Sequence, residues 1–126
     1  VPVKVVDSLP AALPQLDYIS IHVPKQPDGG AVLGEQEFQL MKNGVRLVNT
    51  ARGGVIDEQA LLKALEQGKV AAAALDVYEN EPNPLAALLS HPKIACTPHI
   101  GAATLEAQDR IGEELAELII AFANAQ

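Results

Sequence analysis

The sequence predicts an α/β fold, a parallel sheet covered by helices on both faces, and three observations predict it. Short apolar runs rich in β-branched residues alternate with stretches that carry helix caps and helical spacing. The central runs, 18–23 and 70–77, are mostly apolar at successive positions, as strands buried on both faces are. Glycine, proline and Asx residues mark nearly every change from one kind of segment to the next.

The elements follow in order. Residues 3–6 are a short β-branched run and read as a first strand. Ser8 is placed to cap a brief helix that Pro14 stops. A second strand covers 18–23 and ends at Pro24, and a Pro/Gly loop covers 25–34. Residues 35–42 read as a short helix closed by Asn43-Gly44. A third strand covers 46–49. Asp57 is a good N-cap for a helix carrying Leu61, Leu62 and Leu65, with Gly68 just past its end. The Ala-rich run 70–77 is compatible with a helix by propensity, but its place between Gly68 and a polar segment makes it a buried strand. Residues 94–97 form a last strand stopped by Pro98. From Thr104 onward, Ile111, Leu115, Leu118, Ile119 and Phe122 follow helical spacing.

Composition narrows the function classes. The 126 residues are enough for one domain with a real core. A net charge of −7 argues against nucleic acid or an anionic membrane surface as a partner. No apolar run approaches the roughly 20 residues of a membrane span, and no signal segment is evident. One cysteine, Cys96, permits no internal disulfide and fits a reducing, cytoplasmic setting. No metal site is expected.

In a parallel sheet, ligands bind outside the carboxyl ends of the strands. Arg52 follows the strand at 46–49, Asp76 and Glu81 follow the run at 70–77, and His99 follows the strand at 94–97. Neighbouring strands lie about 4.8 Å apart, so these side chains share one sheet edge. An arginine presents a planar fork of donors that matches a carboxylate. A histidine takes or gives a proton near neutral pH. A glutamate on the far ring nitrogen orients the imidazole and stabilises its charged form. That combination suits oxidation of a 2-hydroxy acid, with the histidine accepting the hydroxyl proton.

Taken singly, each residue has an ordinary explanation: a surface arginine, a turn histidine, a loop glutamate, a turn-capping aspartate. Their joint placement at consecutive strand ends carries the functional reading. By the same weighing, His22 is structural, His91 solvated, Cys96 a small core residue, and Asp57 and Thr104 helix caps. Gly112, inside the last helix, costs stability relative to alanine.

Three stretches, "DYISIHVP", "LVNTARGGVIDEQALLKALEQGKVAAAALDVYENEP" and "TPHIGAATLEAQ", closely resemble the NAD-dependent D-2-hydroxyacid dehydrogenases. The resemblance covers essentially the whole chain. It implies that Arg52 binds the substrate carboxylate and carbonyl, that His99 is the acid/base, that Glu81 is its partner and that Asp76 lies near the nicotinamide carboxamide. It also implies that backbone around His22, Val23 and Pro24, and around Thr50 and Ala51, lines the groove for NAD. Formate-oxidising relatives carry glutamine at the Glu81 position, so Glu81 argues against formate. Gly29 departs from the family pattern, which often has threonine there.

The family's G-x-G-x-x-G turn, which cradles the pyrophosphate, is not formed by the glycines at 29, 30, 34, 44, 53, 54, 68, 101 or 112. The expectation is a half-Rossmann, flavodoxin-like unit: residues 1–126 as one domain without the glycine-fingerprint half or the substrate domain. Its substrate in the complete enzyme is a small 2-hydroxy or 2-oxo acid. The isolated chain is expected to bind NAD weakly or not at all, to be inactive and to form a homodimer. The other reading is a self-standing module that folds and dimerises without activity.

Overall fold

The computed structural model describes residues 2–125. Four parallel strands form one sheet in the order β1-β2-β3-β4. They are β1 (Tyr18–Ile21), β2 (Val45–Asn49), β3 (Val70–Leu75) and β4 (Ile94–Cys96). The helices are α1 (Leu9–Ala12), α2 (Glu35–Leu40), α3 (Glu58–Glu66), α4 (Ala86–Leu89) and α5 (Leu105–Asn124), with a 3-10 turn at Leu13–Gln15. The parallel α/β layout read from the sequence is present. The Ala-rich run is a strand, paired with β2 on one side and β4 on the other. Sheet pairing has overridden its helix propensity.

Two expectations are corrected. Residues 3–6 form no strand, and Val3 and Val5 are 89% and 87% exposed. Strand propensity there finds no neighbouring strand to pair with, and β structure has no local hydrogen bonds to fall back on. The cover of the sheet also differs. Val45, Leu47 and Asn49 of β2 are buried, whereas Arg46 and Val48 between them are exposed. In register with those two lie Tyr18 and Ser20 of β1 and Ala72 and Ala74 of β3. Arg46 sits over the Tyr18 ring at 5.5 Å. The reason is topological. Parallel crossovers are right-handed, and here every crossover steps the same way along the sheet, so the connections land on one face. Cover on both faces needs a reversal of strand order, and this order has none.

The core lies under the covered face. Ile21, Leu47, Ala73 and Leu75 of the strands meet Leu13, Phe38, Leu61, Leu65 and Leu88 in one cluster. Asp57 and Thr104 act as N-caps as expected, accepting from the Ala60 and Ala107 N–H groups. Ser8 holds the N-cap position of α1 without a side-chain bond, and Pro14 sits inside the 3-10 turn. Cys96 packs against the core. Helix α5 has no buried residue, so the space around Gly112 is open. Among the described residues, no helix is long and apolar enough to cross a membrane.

Candidate active site

The strand ends build the site. At the end of β2, Asn49 is only 2% exposed and makes two bonds to the chain just ahead of it. Its Oδ1 accepts from the Ala51 N–H at 3.1 Å, and its Nδ2 donates to the Arg52 carbonyl at 3.1 Å. These bonds close the turn that carries Thr50, Ala51 and Arg52. Arg52 itself is exposed. Its Nη1 donates to the Ala51 carbonyl at 2.6 Å, and the other guanidinium donors are available to a planar anion. Immediately after it, Gly53 has no room for a side chain. A Cβ there would lie 1.7 Å from the Tyr78 carbonyl oxygen.

At the end of β3, Asp76 is 4% exposed and aims its carboxylate at the loop that follows β4. The Thr97 hydroxyl donates to Oδ1 at 2.6 Å, the Ile100 N–H donates to Oδ1 at 2.9 Å, and the Gly101 N–H donates to Oδ2 at 3.0 Å. Burial pushes the Asp76 pKa up, but the three donors outweigh it and hold the group below its ordinary value. Between Thr97 and Ile100, His99 adopts a left-handed backbone with φ +56°. A non-glycine residue rarely occupies that region unless its surroundings impose it, and the Asp76 bonds on either side do so.

His99 Nδ1 bonds Glu81 Oε2 at 2.6 Å. The other glutamate oxygen accepts from the Tyr78 N–H at 2.9 Å. The bond with His99, then the bond from Tyr78, hold the Glu81 carboxyl below its ordinary value. An ionised Glu81 fixes the imidazole through Nδ1 and leaves Nε2 to exchange a proton. Tyr78 adds a further tie: its hydroxyl lies 3.0 Å from the Leu75 carbonyl and 2.7 Å from the Thr97 carbonyl. Burial pushes the Tyr78 pKa upward, so the hydroxyl stays protonated and able to donate.

The expected residues fall into two spaces along the carboxyl edge. His22, Val23, Pro24, Thr50, Ala51 and Arg52 line a groove of about 320 Å³ at the ends of β1 and β2. Glu81 and His99, with Tyr78, Pro82, Thr97 and Pro98, line a cleft of about 400 Å³ beyond β3 and β4. His22, just past the end of β1, is tied back to that strand by a 2.7 Å bond between Nε2 and Ser20 Oγ. The groove sits where dinucleotides bind in parallel α/β sheets, and residues 22–24 and 50–52 line it. Asp76, expected near that ring, spends both oxygens on the His99 loop, although Oδ2 has one partner and keeps a lone pair. Sequence reasoning missed Asn49, Gly53 and Tyr78. The strand-end Asn followed by Thr-Ala-Arg-Gly-Gly carried an Asx-turn signal that identifies the first.

The model of the D-isomer specific 2-hydroxyacid dehydrogenase, NAD binding domain, matches residues 2–101. The D-3-phosphoglycerate dehydrogenase of Sus scrofa is 50% identical over 103 residues, which is 82% of this chain and 19% of that protein. The enzyme of the same name from Archaeoglobus fulgidus is 48% identical over 122 residues, 96% of this chain and 23% of that protein. The crystal structure of a glyoxylate reductase from Paecilomyes thermophila matches with a TM-score of 0.76 and 46% identity, over 83% of this chain and 32% of that one. The chain therefore spans about a fifth of the length of these curated relatives.

Proposed function

From the premise that the chain belongs to the D-isomer specific 2-hydroxyacid dehydrogenases, within their NAD-binding domain, we propose that it carries the proton-transfer and carboxylate-binding half of a dehydrogenase site. In the complete enzyme, Arg52 holds the carboxylate of a small 2-hydroxy acid. His99 Nε2 takes the hydroxyl proton, and Glu81 stabilises the imidazolium that results. NAD, when bound, would supply the hydride acceptor, and loss of that hydride together with the proton taken by His99 would leave a 2-oxo acid. Backbone at His22, Val23, Pro24, Thr50 and Ala51 lines the groove on the nicotinamide side. Asp76 acts there through the loop that it holds.

The observation that carries the reading is the 2.6 Å bond between His99 and Glu81 on a left-handed turn at the carboxyl edge of a parallel sheet. Identity to two D-3-phosphoglycerate dehydrogenases at 50% and 48% supports 3-phosphoglycerate as the substrate and 3-phosphohydroxypyruvate as the product. We place the protein in the cytoplasm. The 126 residues alone are inactive and bind NAD weakly or not at all, because no glycine turn among them cradles the pyrophosphate. A second reading, a half-Rossmann module that folds without activity, draws support from the single core shared by all the sheet's covered face.

Steady-state oxidation of 2-hydroxy acids by the complete protein tests the proposal. Arg52→Lys keeps the charge and loses the bidentate fork. It should lower kcat/KM by about one to three orders of magnitude, at ~1.4 kcal/mol per tenfold. Wild-type kinetics for that variant would remove Arg52 from the site.

A further inference from the structure

Arg52 and His99 stand on different loops, and their relative position has to be set by whatever joins those loops. Glu58, the buried first residue of α3, lies just beyond the Arg52 turn. Its Oε1 accepts from the Glu79 N–H at 2.8 Å. In return, Glu79 Oε1 accepts from the Glu58 N–H at 3.0 Å. The two residues thus bracket each other, side chain to backbone, across two separate strand-end segments. The same segments meet again where Gly53 packs on the Tyr78 carbonyl. Tyr78 in turn donates to Glu81, and Glu81 holds His99. A continuous line of contacts therefore runs from the Arg52 turn through Glu58, Glu79, Tyr78 and Glu81 to His99.

The bracket is costly by charge. Two carboxylates share one place, and the Glu58 pKa is pushed up first by burial and then by the charges of Glu79 and Asp57. What the geometry uses is the acceptor oxygens, which reach the Glu79 N–H in the loop after β3 and the Glu58 N–H, which the first turn of α3 leaves without an intrahelical partner.

We propose that Glu79, bracketed with Glu58, is a positioning residue that sets the Arg52 turn at its working distance from the Glu81–His99 pair. This rests on the reading of Arg52 and His99 given above. Substrate still finds the Arg52 guanidinium when the bracket is broken, so binding is kept. The bound hydroxyl is displaced from His99 Nε2, so the chemical step slows.

The test uses the complete dehydrogenase with its 2-hydroxy acid and NAD. Glu79→Ala should lower kcat about tenfold and leave KM for the hydroxy acid within about twofold. The pH profile of kcat/KM should stay in place, because the Glu81–His99 bond is untouched. Glu79→Asp keeps the charge but falls one methylene short, and should behave like Glu79→Ala. Glu79→Gln keeps the acceptor oxygen and should restore kcat to within about twofold of wild type. Wild-type kcat for both Glu79→Ala and Glu79→Asp overturns the proposal. So does an equal loss in Glu79→Gln, or a loss confined to KM. Arg52→Ala is measured alongside. If it is inactive while Glu79→Ala is normal, the bracket alone fails; if Arg52→Ala is normal, the reading beneath it fails and the bracket with it.

Discussion

Asp76 sets the place of a residue that it does not touch. Its carboxylate binds the chain on both sides of His99 and holds that residue in a left-handed backbone. Asp76→Asn replaces one acceptor oxygen with a donor that faces a backbone N–H or the Thr97 hydroxyl. It should cost about 1–3 kcal/mol of stability, read as a lower midpoint in thermal unfolding. The pH dependence follows from the direction of the shift. A carboxyl held below its ordinary value stabilises the fold fully above the unfolded-state value, near 4 for an aspartate. That stability is lost as the pH falls through the folded-state value. Asp76 and Glu81 are both of this kind, so the wild-type midpoint should drop on acidification below about pH 4. Asp76→Asn should show a shallower drop. An equal drop in both proteins would show that Asp76 does not contribute. At this scale the placement of Arg52, Glu81 and His99 just past the strand ends was legible, because an exposed polar residue after an apolar run has few structural duties. Gly53 and Tyr78 were not, because what they do depends on contacts with segments far away in the sequence, whereas the bonds of Asn49 are local and its turn signal went unread.

At the scale of the elements, the strand ends meet with no slack. Gly53→Ala would drive a Cβ into the Tyr78 carbonyl, and backbone on both sides leaves nothing to give way. A loss of about 3 kcal/mol or more is expected, together with loss of activity in the complete enzyme. Denaturant unfolding checks it, and a midpoint equal to wild type would contradict the packing described. Strands β1 to β4 were legible because their apolar runs end at Pro, Asx or Gly, and the boundaries moved by only a few residues. The run at 3–6 misled because a strand exists only when a second strand pairs with it. Helix α4 went unread because one turn of helix has no periodicity to detect.

The whole molecule has one finished face and one open one. The covered face holds the core, while the other presents Tyr18, Arg46 and Val48, the last at 39% exposure. Strand β1 is at the edge of the sheet, and the apolar residues of α5 are exposed. An apolar strand edge of this kind invites pairing, and a homodimer is the expected state of the isolated chain. Sedimentation across a concentration series should find it, and a strictly monomeric species at high micromolar concentration would contradict it. That the helices cover one face and not both was not legible, because it depends on strand order, which follows from how the crossovers turn and is not written in any one segment. The carboxyl edge itself was legible, because every parallel strand points the same way and delivers its next residues to one side.

The claim that joins these scales is that His99, fixed by Glu81 and by the Asp76-held turn, moves the proton. The most direct measurement is the steady-state kinetics of His99→Ala in the complete dehydrogenase, with kcat and KM for the 2-hydroxy acid determined separately. Removing a positioned acid/base should lower kcat by about two to four orders of magnitude, with KM changed far less. A kcat equal to that of the wild type, with the whole loss in KM, would show that His99 only binds substrate and would contradict the account.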